Sequence, residues 1–192
     1  MGGGKGMKRI RRYLGSLLCG LVLAALPVSA PLAAGLDTEE YKIKAALVYN
    51  FARFTEWPEA SFEETEGAIR IVYYGDESLR EAFASVAGRT ISGRPIEVIH
   101  AARPADVGDC HLLFLARTER EDWQQVLAAV DGNPVLTVGE MNGFLESGGV
   151  VNLHTRRSKL RFQVNLDRAR EQDLRLSSQL LVLASKVIDS SR

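Results

Sequence analysis

The segment Tyr41–Pro58, YKIKAALVYNFARFTEWP, decides the fold because it is the first part of the chain able to bury a large apolar surface. On a helical wheel its apolar residues form two stripes: Ile43, Leu47, Phe51 and Phe54, then Tyr41, Ala45, Val48 and Ala52. Lys44 falls between these stripes. A helix that is apolar over so much of its surface needs more than one neighbour. We expect one side to pack on its own domain and the other to meet a second element, another subunit or a partner.

The ends of this helix carry their own signals. Asp37, followed three residues later by Glu40, has the form of a capping box and predicts the helix start. Pro58 lacks an amide hydrogen and biases Trp57 away from helical geometry, so the helix should end near Thr55. Trp57 therefore lies at the helix exit, where it either closes the core or belongs to an interface, a setting in which Trp is enriched.

Residues 1–34 have the layout of a secretory signal peptide: a positive leader, an apolar run from Leu14 to Leu26, and small residues after it. Cleavage near Ala34 is favoured over cleavage after Ala30, because Pro31 follows Ala30 directly. The apolar run is shorter than the ~20 residues of a transmembrane helix. An uncleaved membrane anchor is the alternative.

Removal of that segment leaves residues 35–192 as a mildly acidic chain. It has 19 Lys and Arg residues and 24 Asp and Glu residues, which gives a formal charge of −5. Such a domain is a poor candidate for binding nucleic acid or an anionic membrane surface. Its 158 residues are enough for one hydrophobic core without disulfides or metals. We expect a single exported domain that does not insert into the membrane.

The remaining pattern alternates strands and helices, which predicts an α/β three-layer sandwich with a mostly parallel, Rossmann-like central sheet. The last two strands, joined by a polar turn at 154–159, form an antiparallel C-terminal hairpin. The predicted strands are Ile69–Tyr74, Pro95–Ile99, His111–Leu115, Pro134–Val138, Val150–Leu153 and Leu160–Val164. Helices are predicted from Asp76 to Gly88, from Thr118 to Gly132, and from Ser177 onward with Leu180, Leu181, Leu183, Ala184 and Val187 buried.

Catalytic and metal-binding signatures are missing from the sequence. It contains no GxxxxGK[ST], HExxH, GxSxG or CxxC. His100, His111 and His154 are far apart, whereas metal sites usually show a local pair of ligands. Gly75-Asp76, between a strand and a helix, is interpreted as a tight turn with a helix cap. The sequence predicts no enzyme, no metal and no cofactor.

Two features remain as candidates for contacts. Cys110 is the one cysteine left after signal removal, and it either is buried and inert or pairs between molecules. The turn that carries Arg156, Arg157 and Lys159, with Arg161 after it, is the densest positive cluster of the exported chain. It either is solvated or meets an acidic partner face.

Four blocks of the chain together resemble the YfiR-like family of exported bacterial proteins: YKIKAALVYNFARFTEWP, CHLLFL, LTVGEMNGF, and the run from GGVVNLHTRRSKLRFQVNL to the last helix. The resemblance covers essentially the whole exported chain in order. It implies a compact α/β domain in the periplasm without catalytic activity. The best-known type represses an inner-membrane diguanylate cyclase by binding its periplasmic region, which limits cyclic di-GMP and biofilm growth. It also implies dimerisation and a redox response.

The cysteines depart from what the resemblance implies. The best-known type has paired cysteines, of which Cys110 resembles one. This chain has Val72 where a partner thiol is expected, and no thiol near Leu145 and Asn152. An intrachain disulfide is excluded in the exported form. Redox control would need an intermolecular Cys110 bond.

From the residues and the resemblance together we expect a repressor of a membrane diguanylate cyclase or sensor kinase, and we leave open whether it acts as a monomer or a homodimer. Phe54 and Trp57 are the predicted contact residues, supported by Arg156, Arg157 and Lys159. The alternative is a periplasmic small-solute-binding protein that serves a transporter, with its pocket beyond the strand ends near Gly75 and Gly139.

Overall fold

The long first helix, α1 (Leu32–Arg53), lies on one face of a central sheet in the computed structural model, which describes residues 32–75, 79–117 and 120–191. The predicted capping box is wrong, because Asp37 lies inside α1 rather than at its start. Leu32, Ala33 and Ala34 are good helix formers, and they extend the helix upstream. The helix ends two residues before the predicted Thr55. The Thr55 hydroxyl donates to the Phe51 carbonyl at 2.8 Å.

The two apolar stripes of α1 differ in how far they are buried. Ala45, Val48 and Ala52 are fully buried, and so is Phe51 from the other stripe. Ile43 keeps 56% of its surface exposed, while Leu47 and Phe54 are half-buried. The chain's own core therefore buries the second stripe and part of the first. Ile43 and parts of Leu47 and Phe54 remain open to solvent.

The central sheet has eight strands in the order β10-β8-β7-β6-β5-β2-β4-β3, counting described residues only. Neighbours are parallel except for the β7–β8 and β3–β4 pairs. A separate two-stranded antiparallel sheet joins β1 to β9. The strands are β1 (Thr55–Glu56), β2 (Ile69–Tyr74), β3 (Thr90–Ile91), β4 (Arg94–Ala101), β5 (Leu112–Leu115), β6 (Leu136–Gly139), β7 (Val151–Arg156), β8 (Lys159–Asn165), β9 (Arg175–Leu176) and β10 (Lys186–Ile188).

Helices cover both faces of this sheet, so the predicted three-layer α/β architecture with a mostly parallel sheet is confirmed. Successive side chains of a strand point to opposite faces, and the core divides accordingly. One half contains Phe51 of α1 and Phe83 of α2 (Leu79–Ala84). The other contains Trp123 of α3 (Arg120–Ala129) and Phe144. The caps predicted at Asp76 and Thr118 lie outside the described residues.

Phe144 explains two small residues next to β6 and β7. A Cβ on Gly139 would lie 2.6 Å from the Phe144 ring, and Gly149 approaches the other edge of the same ring. Phe144 itself is fully buried. The GEMNGFLESGG segment therefore closes one half of the core by wedging an aromatic ring between two glycines, which leave the space a side chain would fill.

The C-terminal hairpin is confirmed, with a tighter turn than predicted. β7 and β8 pair as far as Arg156 and Lys159, which leaves Arg157 and Ser158 as the loop. Both loop residues have positive φ, 50° and 58°. This is the backbone of a type I′ turn, whose twist matches that of the flanking strands. His154 belongs to a strand rather than to the turn.

The last predicted helix is correct at its start and too long at its end. Ser177 caps α5 (Ser178–Leu183), and its hydroxyl accepts from the Leu180 amide. The helix stops at Leu183, which is 65% exposed, and Val187 belongs to β10, which pairs in parallel with β8. Before it, α4 (Leu166–Glu171) connects β8 to β9. None of the helices among the described residues is both long and apolar enough to span a membrane.

Candidate functional site

The predicted contact residue Trp57 closes the core and faces solvent at the same time. Its indole N–H donates to the His111 carbonyl at 2.9 Å, and the two rings meet edge to face with centroids 5.8 Å apart. Phe62 stacks against His111 at 4.4 Å. One edge of the Trp57 side chain remains exposed. Trp57 therefore closes the core, as one of the two interpretations has it, and its exposed edge leaves a contact with a partner as a prediction.

The exposed part of Trp57 borders a cleft of about 490 Å³. The β1–β9 pairing builds it, because this pairing brings the residues after α1 against those after α4. Carboxylates and guanidinium groups both line it, so its surface is polar with an aromatic wall. The lining residues are Glu56, Trp57, Pro58, Arg170, Asp173, Leu174 and Arg175.

Phe54, the other predicted contact residue of this region, is not among the residues that line this cleft. It is half-buried and packs against the main core cluster. Its carbonyl accepts from the Ser177 amide at 2.9 Å, which ties the end of α1 to the start of α5. The Arg53 guanidinium lies 5.8 Å from the ring centroid. Phe54 therefore fixes the geometry of this corner and offers only part of a ring to a partner.

We call Trp57 and the residues that line its cleft the Trp57 corner; His111 lies beneath it, against the Trp57 ring, and is neutral. It is 1% exposed, and its Nδ1 accepts from the Arg70 amide at 3.0 Å. Burial lowers the pKa of His111 to about 4, and the positive charge of Arg70 acts in the same direction. The Ser61 backbone opposes this shift. His111 has no metal-ligand spacing in the sequence, and in the fold its ring contacts two aromatic side chains, Phe62 and Trp57.

The basic hairpin tip forms a second, separate surface. Arg156, Arg157 and Lys159 are exposed, and they form no ion pair with the described part of the chain. Asn152 of β7 pairs with Gly139 at the carboxyl end of β6, so the tip projects four to five residues beyond that edge. Trp57 lies at the opposite, amino-terminal edge, next to β5. Counted through the paired strands, Arg156 and Arg157 lie eight to nine positions beyond His111, the neighbour of Trp57. At about 3.3 Å per residue, the two predicted contact regions are roughly 30 Å apart.

Cys110 lies just before β5 and is partly buried. It borders a cleft of about 440 Å³ together with Val107, Pro134 and Val135. Burial raises the pKa of the Cys110 thiol to about 12, and the neighbouring Asp109 carboxylate adds to the effect. Because the thiolate is the nucleophile, this thiol is unreactive toward electrophiles at neutral pH.

The raised pKa of Cys110 gives a testable prediction for redox control through this thiol. In the native protein at pH 7.5, iodoacetamide should label Cys110 at least tenfold more slowly than it labels a free cysteine peptide, because almost no thiolate is present. Labelling followed by mass spectrometry measures the rate, and unfolding in guanidinium should restore it. A native rate equal to the unfolded rate would contradict the burial of Cys110.

A polar cluster that the sequence did not identify lies at the carboxyl edge of the sheet. The Lys44 ammonium contacts the Glu140 carboxylate, and Glu40 lies 2.8 Å away on the other side. Both Lys44 and Glu140 side chains are only 6% exposed. Burial works against the charge of Lys44, but the two carboxylates outweigh it and raise its pKa. The only signal in the sequence was the position of Lys44 between two apolar stripes.

Next to this ion pair is a cleft of about 210 Å³ that also contains Arg117, Asn152 and His154. The Arg117 amide donates to Glu140 at 2.9 Å. Asn152 Oδ1 and His154 Nδ1 are buried, and neither has a hydrogen-bond partner in the described chain. Across residues 32–75, 79–117 and 120–191, no group of three or more His, Cys, Asp or Glu residues could hold a metal ion.

The architecture places the chain in the class of three-layer α/β domains, and solved structures show the same fold. One is the ABC domain from Streptococcus pneumonia solved in complex with L-Trp, with a TM-score of 0.51 and 10% identity over 75% of this chain. Another is a conserved domain protein from Vibrio cholerae O1 biovar eltor, with a TM-score of 0.52 and 12% identity over 77% of this chain. The chain spans 60% of each of those proteins.

The family is more specific than the fold. Residues 41–185 match the model of the YfiR/HmsC-like family, and the chain belongs to that family. The predicted resemblance is confirmed. The family comprises periplasmic regulators of cyclic di-GMP signalling rather than enzymes. It does not favour the alternative of a solute-binding protein that serves a transporter.

Proposed function

We propose that this protein binds the periplasmic part of an inner-membrane signalling protein, a diguanylate cyclase or a sensor kinase, and represses it. The observation that carries the proposal is the family match over residues 41–185, which covers residues 41–53 of α1, the Trp57 corner and the hairpin. A repressor of this kind acts by holding one of two conformations of its target. It must therefore bind that conformation more tightly than the other.

The Trp57 corner is the proposed primary contact. A partly exposed Trp beside a cleft is suited to receive an apolar side chain from a partner, and the surrounding Arg170, Asp173 and Arg175 form a polar rim. The His111 ring packs edge to face against the indole, and the Phe62 ring stacks on His111. A preorganised aromatic loses little freedom on binding, and this favours affinity.

The hairpin tip is the proposed secondary contact, suited to an acidic face of the partner. Its three cations are free of described ion pairs, and the rest of the exported chain is acidic overall. Charges at the rim of an interface mainly raise the association rate and set orientation. A homodimer is part of the proposal, because a pair of chains would present two Trp57 corners to a dimeric target.

The test is binding to the purified periplasmic domain of a membrane cyclase or kinase encoded beside this protein. Trp57→Ala would also remove core packing, so Arg175→Glu is the sharper variant: it alters the cleft rim from an exposed position. We expect Arg175→Glu and Trp57→Phe each to weaken binding at least tenfold in surface plasmon resonance, mainly through faster dissociation.

The hairpin variant Arg156→Glu, Arg157→Glu, Lys159→Glu should instead slow association and reduce its dependence on salt. Lys186→Glu, an exposed charge reversal on β10, is the control. The charge-reversal variants should retain the circular dichroism and melting temperature of the original protein, and Trp57→Phe, which loses the indole bond to His111, should retain its circular dichroism. Unchanged binding by both Arg175→Glu and Trp57→Phe would exclude the Trp57 corner as the contact, while binding of the partner would still stand.

A further inference from the structure

Two guanidinium groups and one aromatic ring meet on the outer side of α1, near its end. Arg53 is the last residue of α1, Tyr49 lies one turn before it, and Arg89 belongs to the segment between α2 and β3. We propose that these three residues, the Tyr49 face, bind an acidic segment of the membrane signalling partner, with one carboxylate on each guanidinium group. The inference rests on the proposed function, because it assigns a further part of the contact with that partner.

Both guanidinium groups lie over the same ring. The Cζ atom of Arg53 is 5.9 Å from the centroid of the Tyr49 ring, and the Cζ atom of Arg89 is 5.0 Å from it. The two Cζ atoms are therefore at most about 11 Å apart. The ring attracts each cation through its π electrons, and this contact leaves N–H donors of the guanidinium free. The Tyr49 ring thus holds two sets of hydrogen-bond donors close to each other.

The described part of the chain supplies no anion for these two cations. Both side chains are exposed, and neither forms an ion pair or donates a side-chain hydrogen bond to a described residue. Two turns before Tyr49 on the same side of α1, Lys42 does pair within the chain, with Glu39 and with Glu81 of α2. The dipole of α1 favours a cation in its last turn, but Arg89 lies outside that helix. The pair is therefore available to an anion from another molecule.

The composition and shape of the Tyr49 face fit a protein partner better than a small molecule. Aromatic residues and Arg are enriched in protein–protein interfaces. None of the clefts described above is lined by these three residues, so this face does not enclose a ligand. The Phe54 ring lies 5.8 Å from the Cζ atom of Arg53. Trp57 follows Arg53 by four residues, which keeps their Cα atoms within about 14 Å. One partner surface can therefore cover both the Tyr49 face and the Trp57 corner.

Carboxylates are the matching groups on the partner. A guanidinium binds a carboxylate through two parallel N–H···O bonds. On an extended segment, side chains two residues apart leave the same side and lie about 7 Å from each other, which is compatible with the separation of the two Cζ atoms. Two acidic residues with one residue between them can therefore reach both guanidinium groups. The exported chain is acidic overall, which disfavours a uniformly anionic surface such as a membrane, whereas a local acidic pair acts within the Debye length of about 8 Å.

The test is surface plasmon resonance with the purified periplasmic domain of the membrane cyclase or kinase encoded beside this protein. Arg53→Glu and Arg89→Glu should each weaken binding roughly tenfold or more, because each removes a charge-assisted contact and adds a repulsive charge. Lys186→Glu changes the net charge by the same amount from an exposed position on β10, and it should have little effect. Arg89→Lys, which keeps the charge but loses the planar fork, should lose only part of the affinity. All four variants alter exposed side chains and should retain the circular dichroism of the original protein.

Charge exchange identifies the carboxylates. Each exposed Asp and Glu of the partner domain is replaced in turn by Arg and measured against the original protein and the two charge-reversal variants. At least one partner variant that binds the original protein poorly should regain roughly tenfold in affinity with Arg53→Glu or with Arg89→Glu, because the ion pair is restored with its charges exchanged. Weakened binding that no partner variant reverses would overturn the assignment to an acidic segment.

The other outcomes separate this inference from the proposed function. If the original protein does not bind the partner domain, the proposed function is wrong and this inference is wrong with it. If the original protein binds, but Arg53→Glu and Arg89→Glu lose no more affinity than Lys186→Glu, the Tyr49 face is not a contact and partner binding still stands. Vesicles of phosphatidylglycerol test the membrane as the alternative. Binding to these vesicles that both Arg variants abolish, with binding to the partner domain unchanged, would also overturn the inference.

Discussion

Replacing Lys44 with alanine is expected to lower the free energy of unfolding by about 3 kcal/mol, the lower end of the range for breaking a buried ion pair. The Glu140 carboxylate would then be left 6% exposed without its cation, retaining only the Arg117 amide as an established donor. The loss is mainly the cost of an uncompensated buried charge. Urea unfolding followed by circular dichroism at pH 7 measures it.

Lys42 provides the matched control, two residues away on the same helix. It pairs with Glu39 and Glu81, but all three side chains are exposed. Surface pairs of this kind contribute between 0 and about 1 kcal/mol, so Lys42→Ala should have a small effect. The double variant Lys44→Met, Glu140→Met should recover part of the loss, because it removes both charges. Equal effects of Lys42→Ala and Lys44→Ala would contradict the buried pair.

Acid should destabilise the protein through His111. The unfolded chain binds a proton at this residue near pH 6.5, whereas in the folded protein its pKa is about 4. Between these values the unfolded state holds more protons, so stability is full above pH 6.5 and falls as pH drops toward 4. One pKa unit corresponds to 1.36 kcal/mol, so the loss across this window is about 3 kcal/mol.

His111→Gln should remove this part of the pH dependence, although it also loses ring contacts with Phe62 and Trp57 and should be less stable at pH 7. The measurement is the free energy of unfolding at intervals between pH 4 and pH 7 for both proteins. Trp57→Phe keeps His111 beneath an aromatic ring and should keep the slope. Parallel curves for the original protein and His111→Gln would show that another group causes the acid sensitivity.

The central sheet and most helices follow from local patterns in the sequence, because each buried strand is a short apolar run bounded by turn residues. The errors have a common physical cause. Lys186–Ile188 is a short apolar run after a helix, and only its pairing with β8 makes it a strand. Strands β1, β3 and β9 contain only two residues each, and periodicity in the sequence cannot reveal so short a strand. Partners distant in sequence decide these elements.

The site was predictable only in part for the same reason. Trp57 stood out as an aromatic at a helix exit, but its hydrogen bond to His111 spans 54 positions of sequence. Lys44 and Glu140 are 96 positions apart, and neither gave a recognisable motif. Phe54 was predicted as a contact because the wheel placed it on an apolar stripe, although the bond from Ser177 ties its backbone to α5. Ring contacts and buried ion pairs form only when distant parts of the chain fold together, so local sequence patterns do not reveal them.

The position of β10 has a practical consequence for work with this protein. The family match ends at residue 185, and β10 begins at Lys186. A recombinant version trimmed to the matched boundaries would lose this strand and leave the outer backbone of β8 unpaired. Exposed strand edges recruit other chains, so the shortened version should be prone to self-association. Purification tags at the carboxyl terminus are best attached through a flexible spacer that leaves Ile188 docked.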